Sequence, residues 1–139
     1  MNIVDHTYKQ KEIVLEVDSQ LSEERVYGTE RELVQVMINI LNNAKDAILD
    51  QKLAHAKVNI TLLTTNREVI IEISDNAGGI PESVMPKIFD PYFTTKHESV
   101  GTGIGLSMSH KIITEHFDGI LSARNEKEGA CFIIKLPKK

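Results

Sequence analysis

The chain has 139 residues and is 41% hydrophobic, enough for one modest core and a single domain over residues 1–139. Its 20 acidic and 16 basic residues give a formal charge of -4, and the scattered lysines and arginines argue against a nucleic-acid partner. The one cysteine, Cys131, excludes an internal disulfide and a cysteine-based metal site, so a reducing, cytoplasmic setting is expected. No window approaches the roughly 18 apolar residues of a membrane span, and MNIVDHTYKQK lacks a signal core, so no membrane contact is expected from this segment. A module of a longer, membrane-anchored protein would look the same.

In chain order, 12-EIVLEV-17 reads as a strand, and Arg25–Gly28 as a second short one. Thr29 followed by Glu32 is a capping-box pattern, with hydroxyl and carboxylate each placed to take an unpaired backbone N–H. Behind it Leu33, Val36, Met37, Ile40, Leu41, Ala44 and Ile48 recur at three- and four-residue steps, predicting a long amphipathic helix. The runs 57-KVNITLLT-64 and 69-VIIEISD-75 predict an antiparallel hairpin across TNRE. From Ala77 to Gly103 the chain is too rich in Gly, Pro and polar residues for a long element but long enough for a functional lid, with a short helix after Pro81. Ile104 to Phe117 reads as a helix that stops at Asp118-Gly119, and 119-GILSARNE-126 and 129-GACFIIKLP-137 as a closing pair of strands.

Three stretches could carry chemistry. At 100° per residue Asn39, Asn43 and Asp46 fall within about 60° of one another, opposite the apolar stripe and close to Gln35. A solvated polar face is the plain alternative. In 75-DNAGGI-80 an aspartate ends a β-branched strand at a glycine turn, where a carboxylate accepts hydrogen bonds and glycines admit a flat ring; an ordinary Asp-Asn turn is the alternative. In 101-GTGIGLS-107 three alternating glycines precede a helix, whose free N–H groups suit an anion such as phosphate. The spacing does not match a dinucleotide fingerprint, and no GxxxxGK[ST] pattern occurs, so bound ATP would need another architecture.

Together 35-QVMINILNNAKDAI-48, 75-DNAGGI-80, 88-IFDPYFTTK-96 and 101-GTGIGLS-107 resemble, in order and spacing, the N, G1, F and G2 boxes of sensor histidine kinase catalytic domains. The resemblance implies a Bergerat-type α/β fold, a two-layer sandwich of a mixed, mostly antiparallel sheet and helices, with Mg²⁺-ATP held between helices and a lid. By position, Asn43 matches the magnesium-coordinating asparagine and Asn39 its phosphate-side companion, with Asp46 near the metal's waters. Asp75 matches the acceptor of the adenine amine and Gly79 the glycine beneath the ring, within a loop that includes Ala77, where the family often has glycine, and Ile80. Phe89 and Phe93 match lid aromatics, Lys96 is the cation for the outer phosphates, and Gly101, Thr102, Gly103, Ile104, Gly105 and Leu106 complete the nucleotide site. Ala130 stands where relatives often carry a hydroxyl residue, so one polar contact near the base is expected to be missing.

The resemblance further implies phosphoryl transfer to a histidine on a dimerisation hairpin and relay to a response regulator. None of the five histidines, His6, His55, His97, His110 and His116, has the phosphoacceptor context; they read as surface or packing residues. Hydrolysing ATPases of the same fold carry a glutamate four residues before the metal asparagine, whereas this chain has Asn39, which cannot take a proton. A nucleotide-binding interaction module and an anti-sigma-type serine kinase are further alternatives; FDPYFTTK fits the histidine kinases better.

Overall fold

Alternating apolar residues and one long amphipathic helix build a sheet with helices against one face. The structure, a computed structural model, describes residues 14–19, 26–51, 56–90 and 105–138. Five strands, β1 (Val14–Ser19), β2 (Lys57–Thr64), β3 (Glu68–Asp75), β4 (Ile120–Asn125) and β5 (Ala130–Pro137), form one sheet in the order β1-β2-β3-β5-β4. Two helices, α1 (Glu30–Gln51) and α2 (Gly105–His116), complete the described elements, with a 3-10 turn at Met85–Lys87 where a short helix was expected after Pro81. The β1–β2 pair is parallel, Val14 opposite Lys57 and Ser19 opposite Leu62, because α1 intervenes and returns the chain in the same direction. The other three pairings are antiparallel, so the sheet is mixed and mostly antiparallel, as expected.

Strand periodicity decides which face is covered. On β2, β3 and β5, Val58, Ile60, Val69, Ile71, Ile73, Phe132, Ile134 and Leu136 share one buried face with Leu121 of β4. Against them α1 lays Val36, Ile40, Leu41, Ala44 and Ile48, all buried, while α2 and the turn after it contribute Ile113 and Phe117. The same alternation turns Lys57, Asn59 and Ser74 to the opposite face. Cys131 also lies there yet is buried, and burial pushes its thiol up to about 11, which makes it inert.

The helix ends differ from the sequence reading in instructive ways. Thr29 caps α1 as expected, its hydroxyl oxygen accepting the Glu32 N–H at 3.3 Å. The reciprocal half of the box is absent. The Glu32 carboxylate instead accepts the Thr29 hydroxyl proton at 3.0 Å and pairs with His116 Nδ1, tying the start of α1 to the end of α2. The hydrogen bond to His116 is the chief reason the Glu32 carboxyl lies below its usual range. The expected strand at Arg25–Gly28 reduces to a single bridge between Val26 and Lys138.

At the end of α2 the left-handed residue is Asp118, with φ 55°, and Gly119 follows, its N–H donating to the Ile113 carbonyl at 2.9 Å. Glycine is needed at 119 for close approach: a Cβ there would sit 2.4 Å from the Lys135 carbonyl oxygen of β5. Gly119→Ala should therefore destabilise the fold by about 1–3 kcal/mol, the usual cost of overpacking, measured as a lowered urea midpoint with unchanged slope. An unchanged midpoint would show that the α2–β4 turn can move away from β5.

Candidate functional site

The end of β3 concentrates the sheet's polar functionality. Asp75 is half-buried, its Oδ1 accepting the Ala77 N–H at 2.9 Å and the Ala130 N–H at 3.4 Å. Burial raises its carboxyl above the ordinary aspartate value, against the lowering effect of the two backbone donors. Gly129 lets the β4–β5 hairpin come this close, since a Cβ there would fall 1.9 Å from the Asp75 carbonyl oxygen. The loop that follows has Gly79 at φ 81°, a left-handed conformation that glycine adopts without strain. Gly78 N–H donates to the Glu128 carbonyl at 3.0 Å, so the hairpin turn braces the loop from below.

Ala77 is buried and its φ is not positive, so the departure from glycine at this position is accommodated; its methyl belongs to the core. Ile80 packs against the same core as a partly buried residue. At Ala130 the backbone N–H, not a side chain, reaches Asp75.

The polar face of α1 meets the start of α2. Asn39 is engaged at both ends of its amide: Oδ1 accepts from Gln35 Nε2 at 2.9 Å, while Nδ2 donates to Ser109 Oγ at 3.1 Å and to the Gly105 carbonyl at 3.4 Å. Ser109 is fully buried and its hydroxyl donates to that same carbonyl at 2.8 Å. This network fixes the first turn of α2 against α1. Asn43, one turn further along α1, is partly exposed, and its side chain makes no hydrogen bond with another described residue; Asp46 lies on the same helix. Leu106 packs on the core, and Gly105 is exposed with no atom of the described residues within 4 Å of where a Cβ would stand. Packing within the described chain does not require glycine at 105.

Phe89 is stacked on His110 of α2 with centroids 5.1 Å apart at 26° and edge-on to Phe132 at 6.4 Å and 76°. His110 is thus a packing residue. Its place four residues after Leu106 and three before Ile113 on the helix was the available signal. Phe93, Lys96, Gly101, Thr102, Gly103 and Ile104 lie outside the described residues. Sequence reading missed two polar groups near Asp75, namely Asn125, whose side chain bonds the Ile80 backbone, and the hairpin turn at Glu128. On the sheet face turned away from the helices, a cleft of about 320 Å³ is lined by Lys57, Asn59, Ser74, Asn76 and the 126–129 turn; it reaches Asp75 but neither Asn39 nor Asn43.

A sheet covered on one face by helices, an acidic residue reading a glycine loop and an amide-bearing helix beside a helix start define a nucleotide-binding class. The chain belongs to the family described as "Histidine kinase-, DNA gyrase B-, and HSP90-like ATPase", which matches residues 28–139. It is similar to the two-component sensor PprA of Pseudomonas aeruginosa (strain PAO1), 36% identical over 99% of this chain and 15% of that protein. It is also similar to the signal transduction histidine-protein kinase AtoS of Escherichia coli (strain K12), 41% identical over 91% of this chain and 20% of that protein. The chain therefore spans a fifth or less of the length of these two relatives. Among solved structures, the nucleotide-free catalytic domain of histidine kinase ThkA superimposes with a TM-score of 0.83 at 29% identity, covering 98% of this chain and 87% of that one. ThkA in complex with the response regulator protein TrrA gives a TM-score of 0.77 at 27% identity over 99% of this chain and 37% of that one. The α/β sandwich expected from the sequence is the fold of these catalytic domains.

The raised carboxyl of Asp75 has a consequence for stability. A carboxyl that binds its proton more tightly when folded contributes fully below its unfolded value near 3.8, and the contribution is lost as pH rises through the higher folded value. At neutral pH the ionised group is therefore a cost to the nucleotide-free fold. Asp75→Asn should melt at the same temperature as the natural chain or higher at pH 7, and the natural chain should gain on the variant as pH falls toward 4. A variant markedly less stable at pH 7 would show that the two backbone hydrogen bonds outweigh desolvation.

Proposed function

We propose that this chain is the catalytic and ATP-binding domain of a two-component sensor histidine kinase, moving the γ-phosphoryl group of Mg²⁺-ATP to a histidine outside these residues. The observation that carries the reading is Asp75, a half-buried carboxylate above a glycine loop, held by two backbone donors and costly until a ligand donor reaches it. An adenine amine supplies that donor. Guanine presents a carbonyl at the same place, setting acceptor against charge, which costs roughly 1–3 kcal/mol or more. Gly79 leaves room beneath the ring, within the loop that runs through Ala77 to Ile80.

At the other end of the site, Asn43 offers a side-chain carbonyl and Asn39 an amide beside the first turn of α2, with Asp46 nearby. The donor set fits magnesium, which takes oxygen ligands and keeps several waters, so one protein carbonyl and the nucleotide's own oxygens suffice. Bound magnesium neutralises phosphate charge; this chain's groups orient and enclose the triphosphate. Among the described residues nothing would meet a Cβ at the exposed Gly105, so packing there does not call for glycine, and room for a ligand is the reading we adopt. By the family resemblance, Gly101, Thr102, Gly103, Ile104 and Leu106 would serve the phosphates, Phe89 and Phe93 the lid, and Lys96 would supply a cation for the outer phosphates.

In the reaction the bond between the γ-phosphorus and the β–γ bridging oxygen breaks, a phosphorus–nitrogen bond to the imidazole forms, and ADP leaves. The imidazole proton passes to a base outside this chain. Rapid hydrolysis is disfavoured because the position four residues before Asn43 is Asn39, whose amide holds α2 and takes no proton. The acceptor hairpin and a response regulator are the partners of this reading, in a cytoplasmic setting.

Calorimetric titration with Mg²⁺ present should show ATP binding to the natural chain, GTP weaker by about tenfold or more, and loss of ATP binding in Asp75→Asn. Labelled γ-phosphate should then move to the histidine of a matching hairpin, and Asn43→Ala should abolish the transfer. Failure of a folded chain to bind ATP would sink the assignment. Binding without transfer to any hairpin, the cognate one included, would favour an interaction module.

A further inference from the structure

Asn125 ends strand β4, and its side chain closes a two-bond ring with a peptide group far away in sequence. Its Oδ1 accepts the Ile80 N–H at 2.7 Å and its Nδ2 donates to the Ile80 carbonyl at 2.7 Å, across 45 residues. An amide offers one acceptor and one donor side by side, so it can satisfy both polar groups of one residue as a neighbouring strand would. The Ile80 backbone has no other hydrogen bond among the described residues, and Pro81, which follows, has no N–H to give.

We propose that Asn125 is a positioning residue for the nucleotide: by clasping Ile80 it fixes the outer end of the 76–80 loop that receives the purine ring. The proposal rests on the ATP-binding reading above. Three features carry it. The inner end of the loop is already fixed by Asp75 to Ala77 and by Gly78 to Glu128, so at the outer end, where the Ile80 side chain packs on the core, the clasp supplies the backbone hydrogen bonds. Gly79 lies directly under the clasp, where a Cβ would come 2.9 Å from Asn125 Oδ1, so the amide and the left-handed glycine define one shape together. Asn125 is itself exposed, so burial does not oblige its amide to find partners; both bonds are spent on the loop.

A loop held in its bound shape before the ligand arrives spares the ordering cost on binding. Releasing it should weaken every ligand that carries the purine ring and leave the phosphate end unaffected. The test is calorimetry of the 139-residue chain with ATP and with ADP, Mg²⁺ present, for the natural sequence, Asn125→Ala, Asn125→Asp and Asp75→Asn, at a temperature where circular dichroism shows each folded. Asn125→Ala should bind ATP and ADP about five- to tenfold more weakly, by the same factor for both, with the Ile80 amide exchanging faster with solvent. Asn125→Asp should be at least as weak, because its carboxylate accepts the Ile80 N–H but repels the Ile80 carbonyl.

Affinity within about twofold of the natural chain in Asn125→Ala, with binding lost in Asp75→Asn, would overturn the positioning role and leave the ATP reading standing. A lowered melting temperature with unchanged affinity in the folded variant would assign Asn125 to stability alone and likewise overturn it. If the natural chain binds neither nucleotide, the ATP reading falls and this proposal with it.

Discussion

A carboxylate sits half-buried at the end of the sheet's middle strand, and much of the surrounding architecture is arranged so that it can stay there. Asp75 needs donors, and it finds them in the N–H groups of Ala77 and Ala130, one from its own loop and one from β5. The second is available only because β5 lies between β3 and β4, and because Gly129 lets the hairpin approach the Asp75 backbone. Strand order, hairpin position and one bare Cα together put that second donor within reach. Two backbone donors do not fully offset desolvation, and the carboxyl remains raised.

The helical layer solves a second problem, the placement of a helix start. A helix N-terminus carries free N–H groups and partial positive charge, of use only if its position is fixed. Here α2 is fixed at both ends to α1: at its start by Asn39 through Gly105 and Ser109, at its end by His116 on Glu32. The first contact is shielded and specific, built on a fully buried hydroxyl. The second is a partly exposed contact between a carboxylate and an imidazole, of the kind worth little to stability, so its role is alignment. Ile113 between them and Phe117 just after His116 supply the apolar contact with the core.

Local periodicity made the elements legible. The stripe from Leu33 to Ile48 marked α1 and its buried face, and the alternation in 57–64 and 69–75 marked β2 and β3, because in each case the neighbours that matter are two to four residues away. Motif order made the family legible as well. What stayed hidden involves partners distant in the chain. Glu32 satisfies the local capping pattern, yet its carboxylate is drawn to His116, 84 residues on. Asn39 reads as a face residue, yet its amide is committed 70 residues away. Nothing in the spacing of Asn125 announces Ile80, and the helical spacing of His110 marks it as a packing residue without naming Phe89. The parallel pairing of β1 with β2 follows from the intervening helix, but its register does not follow from composition.

The distribution of unfavourable features separates structure from function more cleanly than the motifs do. Gly119 is explained within the protein: it lets the end of α2 meet β5, and the fold gains the packing in return. Gly105 is not so explained, since no atom of the described residues waits where its side chain would be. The left-handed Gly79 and the raised carboxyl of Asp75 lie together at one end of β3, and both weaken the nucleotide-free fold, one through backbone entropy and one through desolvation. Their costs would be offset by one event, the arrival of a flat ring that carries a hydrogen-bond donor. Natural domains tolerate such local deficits where binding recovers them, and the apolar core under β3 and α1 supplies the stability that lets this one persist until then.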